Sequence, residues 1–199
     1  AAVFAVADTV RPESFAAIMA LRTLHIEPVM LTGDNPATAR AIADQLGIDE
    51  ARGNLMPEDK QAAVGELKDR HGAVGMVGDG VNDAPALARA DIGFAMGAAG
   101  TATALETADV AIMDDDPRKI AAFICLSRRA GSILKQNVAL ALGIKIVFFA
   151  LALVGHATLW MAVFADMGAS LLVVFNGLRL LRHFSPQQPS AEPFRQGSA

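Results

Sequence analysis

The sequence predicts an α/β protein built on a parallel sheet, followed by a two-helix hairpin able to cross a membrane. Three observations predict it. Short apolar runs alternate with amphipathic stretches as far as residue 116. Pro12, Pro36 and Pro57 each stand where a first helical turn would begin. Two long and nearly uncharged apolar runs fill the last third of the chain.

The strands are expected at 3–7 (VFAVA), 28–31 (PVML), 74–77 (VGMV), 92–95 (IGFA) and 110–113 (VAIM). The helices are expected at about 12–25, 36–47 and 57–71, with shorter ones near 84–90 and 101–107. Strands separated by helices imply a parallel sheet covered on both faces, and such sheets place their chemistry beyond the carboxyl ends of the strands. After residue 116 the pattern changes. Asp115 or Asp116 can cap a helix, Pro117 suits its first turn, and neither Gly131 nor Gly143 need end it. One helix is therefore expected to run from the α/β part into the apolar region.

Residues 138–154 carry a single charge, Lys145, and residues 157–178 a single charge, Asp166. Each run is long enough to cross a hydrocarbon core of about 30 Å. Only Gly155 and His156 lie between them, so the pair reads as a tight hairpin. Arg128, Arg129 and Lys135 precede it and Arg179 and Arg182 follow it, which puts both ends on the cytoplasmic side. A buried hairpin of a soluble protein would share the apolar runs but not the flanking bias. Trp160 reads as an interfacial anchor.

The 199 residues carry a formal charge of −4, which gives no basis for a nucleic-acid partner. Cys125 is the one cysteine, so no internal disulfide forms, and it reads as an inert buried thiol. His25, His71, His156 and His183 are scattered without ligand spacing. The chain opens on strand-like residues without a methionine or a basic leader, and is expected to begin inside a larger protein. Residues 184–199 are rich in Pro, Ser and Gln and read as a disordered tail.

The loops after the expected strands carry the chemistry. "MLTGDN" (30–35) offers the Thr32 hydroxyl, the Gly33 amide and the Asp34 carboxylate at a helix N-terminus, a place suited to a phosphoryl group. An ordinary strand–turn–helix with Asp34 as its cap would read the same. "MPEDK" (56–60) places Lys60 early in a helix, where it could neutralise phosphate charge or simply be solvated. "GDGVNDAP" (78–85) brings Asp79 and Asp83 around a glycine turn, a pair that suits magnesium, with Asn82 free to donate a hydrogen bond.

Together "DTVRP" (8–12), "MLTGDN", "MPEDK" and "GDGVNDAPAL" (78–87) resemble the haloacid-dehalogenase phosphotransferase site. More narrowly they resemble the phosphorylation domain of P-type ATPases, and the resemblance covers residues 1–183. It implies a partial haloacid-dehalogenase-like sheet over residues 1–116, a stalk helix and two membrane helices over 117–183, and the tail over 184–199. It also implies that Thr32 and Gly33 hold an aspartyl phosphate that Lys60 contacts, with Asp34 in the same catalytic set. Asp79 and Asp83 would serve Mg2+, and Asp8 and Arg11, with Asn82, would lie near ATP. The family's nucleophile motif, D-K-T-G-T, does not occur in these residues. The missing nucleophile strand, nucleotide domain, actuator domain and earlier membrane helices would be the chain's partners.

"NVALALGIKIVF" and "ADMGAS" resemble the last two membrane helices of the zinc-, cadmium- and lead-exporting members. That resemblance makes Asp166 a ligand of the transported cation and Lys145 its counter-charge. Lys145 lies roughly 13 Å in from Gln136 and Asp166 roughly 19 Å in from Arg179, so a salt bridge between them is expected. A purely structural pair would give the same pattern. The expected location is the plasma (inner) membrane, with residues 1–135 and the tail cytoplasmic. The alternatives are a membrane-tethered phosphatase-like module and a non-catalytic regulatory fragment.

Overall fold

A computed structural model describes residues 10–78, 82–97, 106–156 and 158–180. The chain divides into two compact units, Ala1–Cys125 and Leu126–Ala199. Asp8 and Asp79, the expected strand at 3–7 and the tail lie outside the described residues, as does nearly all of the short helix expected at 101–107.

The first unit contains α1 (Pro12–Thr23), β1 (Val29–Leu31), α2 (Pro36–Leu46), β2 (Glu50–Arg52), α3 (Pro57–His71), β3 (Gly75–Gly78), α4 (Ala84–Arg89), β4 (Ile92–Met96) and β5 (Val110–Ile112). Every described strand pairing is parallel. β1 pairs with β2, and β3, β4 and β5 form a second sheet in that order. β2 was not expected. Its sequence, Glu-Ala-Arg, shows no apolar alternation, yet Met30 pairs in register with Ala51.

The helix starts follow from the prolines, since α1, α2 and α3 each carry one in the first turn. At α2 the cap is Asn35, whose Oδ1 accepts a 2.9 Å bond from the Thr38 N–H. The helix then stops at Gly47, which is left-handed at φ +69°. At α3 the Asp59 carboxylate accepts the Met56 N–H at 3.0 Å.

Three apolar clusters hold these elements. Val64, Met76, Ala86 and Leu87 join α3, β3 and α4, with Leu31 of β1 packed against them. Ala43, Leu46 and Ile48 gather Ile18 of α1 and Met30 of β1. Phe94 and Ile112 pack on Ile120, and the Phe94 ring meets Phe123 edge-on at 5.6 Å. Burial of these side chains sets the sheet position and so the level at which the strands end. Cys125, expected to be buried, is exposed. Ile120, Phe123 and Ile124 turn toward the sheet there, and Cys125 falls on the other side of the helix.

A long helix, α5 (Arg118–Leu153), begins in the first unit and runs into the second. Asp116 receives the Arg118 N–H at 3.0 Å. In length and composition α5 is the one described helix able to cross a membrane. It is followed by α6 (Leu159–Leu178), whose Thr158 Oγ1 accepts the Met161 N–H at 3.3 Å. Gly155, at φ +79°, makes the turn between them. Most large apolar residues of the hairpin are exposed, among them Phe149, Leu153, Trp160, Phe164 and Phe175.

Candidate functional site

Of the sequence-derived residues of the first unit, Thr32, Gly33 and Asp34 stand just past β1, and Asn82 and Asp83 follow β3. Thr32 follows β1, and its N–H bonds to the Arg52 carbonyl at 3.0 Å, continuing the β1–β2 ladder. The Thr32 hydroxyl donates to Asp34 Oδ2 at 2.9 Å and accepts the Asp34 N–H at 3.1 Å. Asp34 is therefore not the helix cap. It closes a turn on Thr32 and leaves the capping to Asn35. Loop 52–55 backs this turn. The Asn54 N–H bonds to the Asp34 carbonyl and the Leu55 N–H to the Thr32 carbonyl at 3.1 Å.

Gly53 makes that close stacking possible. A Cβ there would lie 2.7 Å from the Asp34 carbonyl oxygen and 2.8 Å from Pro36 backbone atoms. Asn54 adopts the left-handed region, φ +59°, which Asn tolerates better than most residues. Gly53 and Asn54 were missed in the sequence. The signal was the "RGN" run between two expected helices, which no motif singled out.

The chain passes directly from this buttress into α3. There Lys60 turns its Nζ to Asp83 Oδ1 at 2.7 Å. The two side chains are only 16 % and 13 % exposed, so this is the most sheltered ion pair among those described. Asp83 stands before α4 but makes no side-chain cap there. Its carboxylate lies against the end of β3 instead. A Cβ on Gly78 would lie 2.6 Å from Asp83 Oδ2 and 2.7 Å from Asp83 Cβ. Gly78, read in the sequence only as part of a turn, thus makes room for the carboxylate.

A sheltered carboxylate at a strand end is a hard oxygen donor of the kind magnesium takes, and Asp83 fits that ion. Asn82 is exposed beside it. Arg11 lies elsewhere on the unit, where its Nη1 contacts Asp115 Oδ2 at 3.2 Å, both side chains well exposed.

β2 and α3 are tied by an ionic network behind the site. Arg52 reaches Glu50 and Glu66 at 2.7 Å each, and Arg70 reaches Glu66 at 2.6 Å and Glu50 at 3.2 Å. Hydrogen bonds from Arg52 and Arg70 pull the Glu66 carboxyl down to about 2. Hydrogen bonding to Glu66 and Glu50 raises Arg52 further above its ordinary value.

In the second unit, Lys145 and Asp166 do not form the expected salt bridge. Both are exposed, and neither makes an ion pair among the described residues. Position along each helix does not by itself fix which group a side chain meets. A polar contact absent from the sequence reading joins the helices instead. Asn176 Nδ2 donates to Asn137 Oδ1 at 2.8 Å.

The family model described as haloacid dehalogenase-like hydrolase matches residues 1–91. The chain is 54 % identical over 181 residues to a probable cadmium-transporting ATPase of Listeria monocytogenes, covering 90 % of this chain and 26 % of that protein. It is 48 % identical over 180 residues to a zinc/cadmium/lead-transporting P-type ATPase of Escherichia coli (strain K12), covering 90 % of this chain and 24 % of that protein. The chain thus spans about a quarter of the length of these curated relatives. Its fold is similar to the crystal structure of a zinc-transporting PIB-type ATPase in the E2.Pi state. The TM-score is 0.82 at 47 % identity, over 88 % of this chain and 28 % of that one.

Proposed function

We propose, from its similarity over nine-tenths of its length to cadmium-, zinc- and lead-transporting P-type ATPases, that this chain is the C-terminal portion of an ATP-driven exporter of such cations. Residues 1–116 form the later part of the phosphorylation domain, and 117–183 form the stalk helix and the last two membrane helices. Residues 184–199 are a tail. The nucleophile strand with D-K-T-G-T, the nucleotide and actuator domains and the earlier membrane helices come from the rest of the pump. The 199 residues alone neither hydrolyse ATP nor become phosphorylated.

The observation that carries this reading is the sheltered Lys60–Asp83 pair, joined through residues 52–56 to the Thr32–Asp34 turn. Thr32 and Gly33 would hold the oxygens of an aspartyl phosphate by hydroxyl and amide donors. Lys60 would neutralise charge that grows on the phosphoryl group, where a preformed cation needs no rearrangement. Asp83, together with Asp79, would hold magnesium, which when bound screens the phosphoryl oxygens. Asp34 orients the Thr32 hydroxyl. Arg11, Asp8 and Asn82 would serve the nucleotide side. In the membrane, Asp166 would be a hard oxygen ligand for the exported cation and Lys145 its counter-charge. Lipid surrounds the hairpin in the plasma (inner) membrane, with residues 1–135 and the tail on the cytoplasmic side.

The test is phosphoenzyme formation from radiolabelled ATP in a complete pump carrying this segment. Asp79→Asn is expected to remove magnesium-dependent labelling while zinc still binds in the membrane part. Normal labelling of that variant, or acid-stable label on the isolated chain, overturns the reading.

A further inference from the structure

The pattern of exposure along the hairpin identifies its seam. On α5 beyond Lys135 the half-buried positions are Asn137, Ala141, Ile144, Phe148 and Leu151. On α6 the less exposed positions among those described are Ala165, Gly168, Ala169, Val173, Asn176 and Gly177, and Ala169 is buried. The α5 positions recur at spacings of three and four, as do Ala165, Ala169, Val173 and Asn176, so each series marks one side of its helix, and the two sides meet at Asn137 and Asn176. Asn137 and Asn176 lie on the seam at the end farthest from the Gly155 turn. There Asn176 Nδ2 donates to Asn137 Oδ1 at 2.8 Å and approaches Gln136 Oε1 at 3.5 Å. Arg179 Nη1 donates to Asn176 Oδ1 at 3.2 Å, which holds the side-chain amide in one orientation.

The position of the two charges follows from this anchor. Lys145 is eight residues beyond Asn137, and Asp166 ten residues before Asn176. At 1.5 Å per residue they stand about 12 Å and about 15 Å from the anchor, at nearly one depth. At about 100° per residue, eight positions turn the helix by about 80° and ten by about 80° in the opposite sense. The helices run in opposite directions, so the two rotations bring Lys145 and Asp166 to the same side of the hairpin. Neither lies in the seam. This is why both are exposed yet unpaired, and it makes them a matched couple on one face.

We propose that Asn176, through its bond to Asn137, is the positioning residue that fixes the register and rotation of the two helices and so keeps Lys145 and Asp166 on one face at one depth. The inference rests on the reading of Asp166 as a ligand of the exported cation. Between helices in lipid no hydrophobic force sets the azimuth, because lipid tails are as apolar as the side chains. A directed amide bond supplies what apolar packing there does not. One residue of slippage at the anchor would rotate Asp166 by about 100°, off the shared face.

The experiment uses the complete pump in lipid nanodiscs. Spin labels are placed by genetic-code expansion at Ile146 and Met167, both exposed neighbours of the charges. Asn176→Leu and Asn137→Leu are expected to shift or broaden the label distance and to weaken apparent zinc affinity by about threefold to tenfold, with maximal turnover nearly retained. Asn137→Asp keeps an acceptor for the Asn176 amide and is expected to retain the parent distance and affinity. An unchanged label distance in both leucine variants overturns the positioning role. So does a changed distance with unchanged zinc affinity. Failure of the underlying reading looks different: Asp166→Ala would retain zinc-stimulated turnover.

Discussion

Gly78→Ala tests the site without touching any group that bears its chemistry. The added Cβ would sit 2.7 Å from Asp83 Cβ and 2.6 Å from Asp83 Oδ2. Carbon atoms pack at about 3.5–4.0 Å, so the two must separate by about 1 Å. Rotation of the Asp83 side chain cannot relieve this, because its Cβ is fixed to the backbone. The start of α4 has to move, and the carboxylate moves with it. A shift of about 1 Å away from Lys60 would stretch their 2.7 Å contact beyond hydrogen-bonding range. Overpacking of this kind costs about 1–3 kcal/mol, and misplacing a reacting group by about 1 Å can cost about a hundredfold in rate. The assay is rapid-quench phosphoenzyme formation in a complete pump, with magnesium varied. The expected result is a fall of roughly a hundredfold and a raised magnesium requirement. Gly75→Ala on the same strand is the control, because its Cβ would meet nothing nearer than the Ile92 Cγ2 methyl at 3.3 Å, a contact that a shift of a few tenths of an ångström relieves. Phosphorylation of Gly78→Ala within about threefold of the parent would refute the claim that Asp83 must lie where it does.

Two further outcomes concern the frame around the site. Glu66, held at about 2 by hydrogen bonds from Arg52 and Arg70, contributes stability that is present above its ordinary value of 4.5 and disappears as pH falls toward 2. Amide-exchange protection of α3, corrected for intrinsic rates, should therefore fall across that window in the parent and show no such step in Glu66→Gln. Asn35→Ala removes the cap of α2 and should cost about 1 kcal/mol, read as roughly fivefold faster exchange in its first turn; unchanged exchange there would mean that Pro36 and the turn behind it hold the helix start unaided.

The parts of this fold legible in the sequence are those where one local rule dominates. Pro12, Pro36 and Pro57 mark helix starts because a ring without an N–H is tolerated in few other helical places. Val29–Leu31 and Ile92–Met96 read as strands because they are apolar. Glu50–Arg52 did not, because what holds it is a backbone ladder to β1 and ion pairs to α3, neither visible as periodicity. The same limit appears in the site. Lys60 and Asp83 were each legible by motif, but their 2.7 Å contact depends on α3 and β3 packing through Val64 and Met76. Asp34 and Asn35 could both cap α2, and only the Thr32 hydroxyl decides between them. Lys145 and Asp166 read as a pair from their positions along two helices, yet both are exposed and neither makes an ion pair among the described residues, because nearness in depth does not fix where a long side chain goes.

The hairpin surface also shapes how this polypeptide behaves before it reaches its final setting. Phe149, Leu153, Trp160, Phe164 and Phe175, each between 64 % and 74 % exposed, form no part of any interior among the described residues. Large apolar side chains exposed in buffer drive chains to stick to one another rather than stay dispersed. Colloidal behaviour during synthesis and handling is therefore governed by α5 and α6, whatever the quality of the α/β core. A nascent chain needs an insertion route or a holding chaperone by the time these helices emerge, and a purified one needs an amphiphile around them.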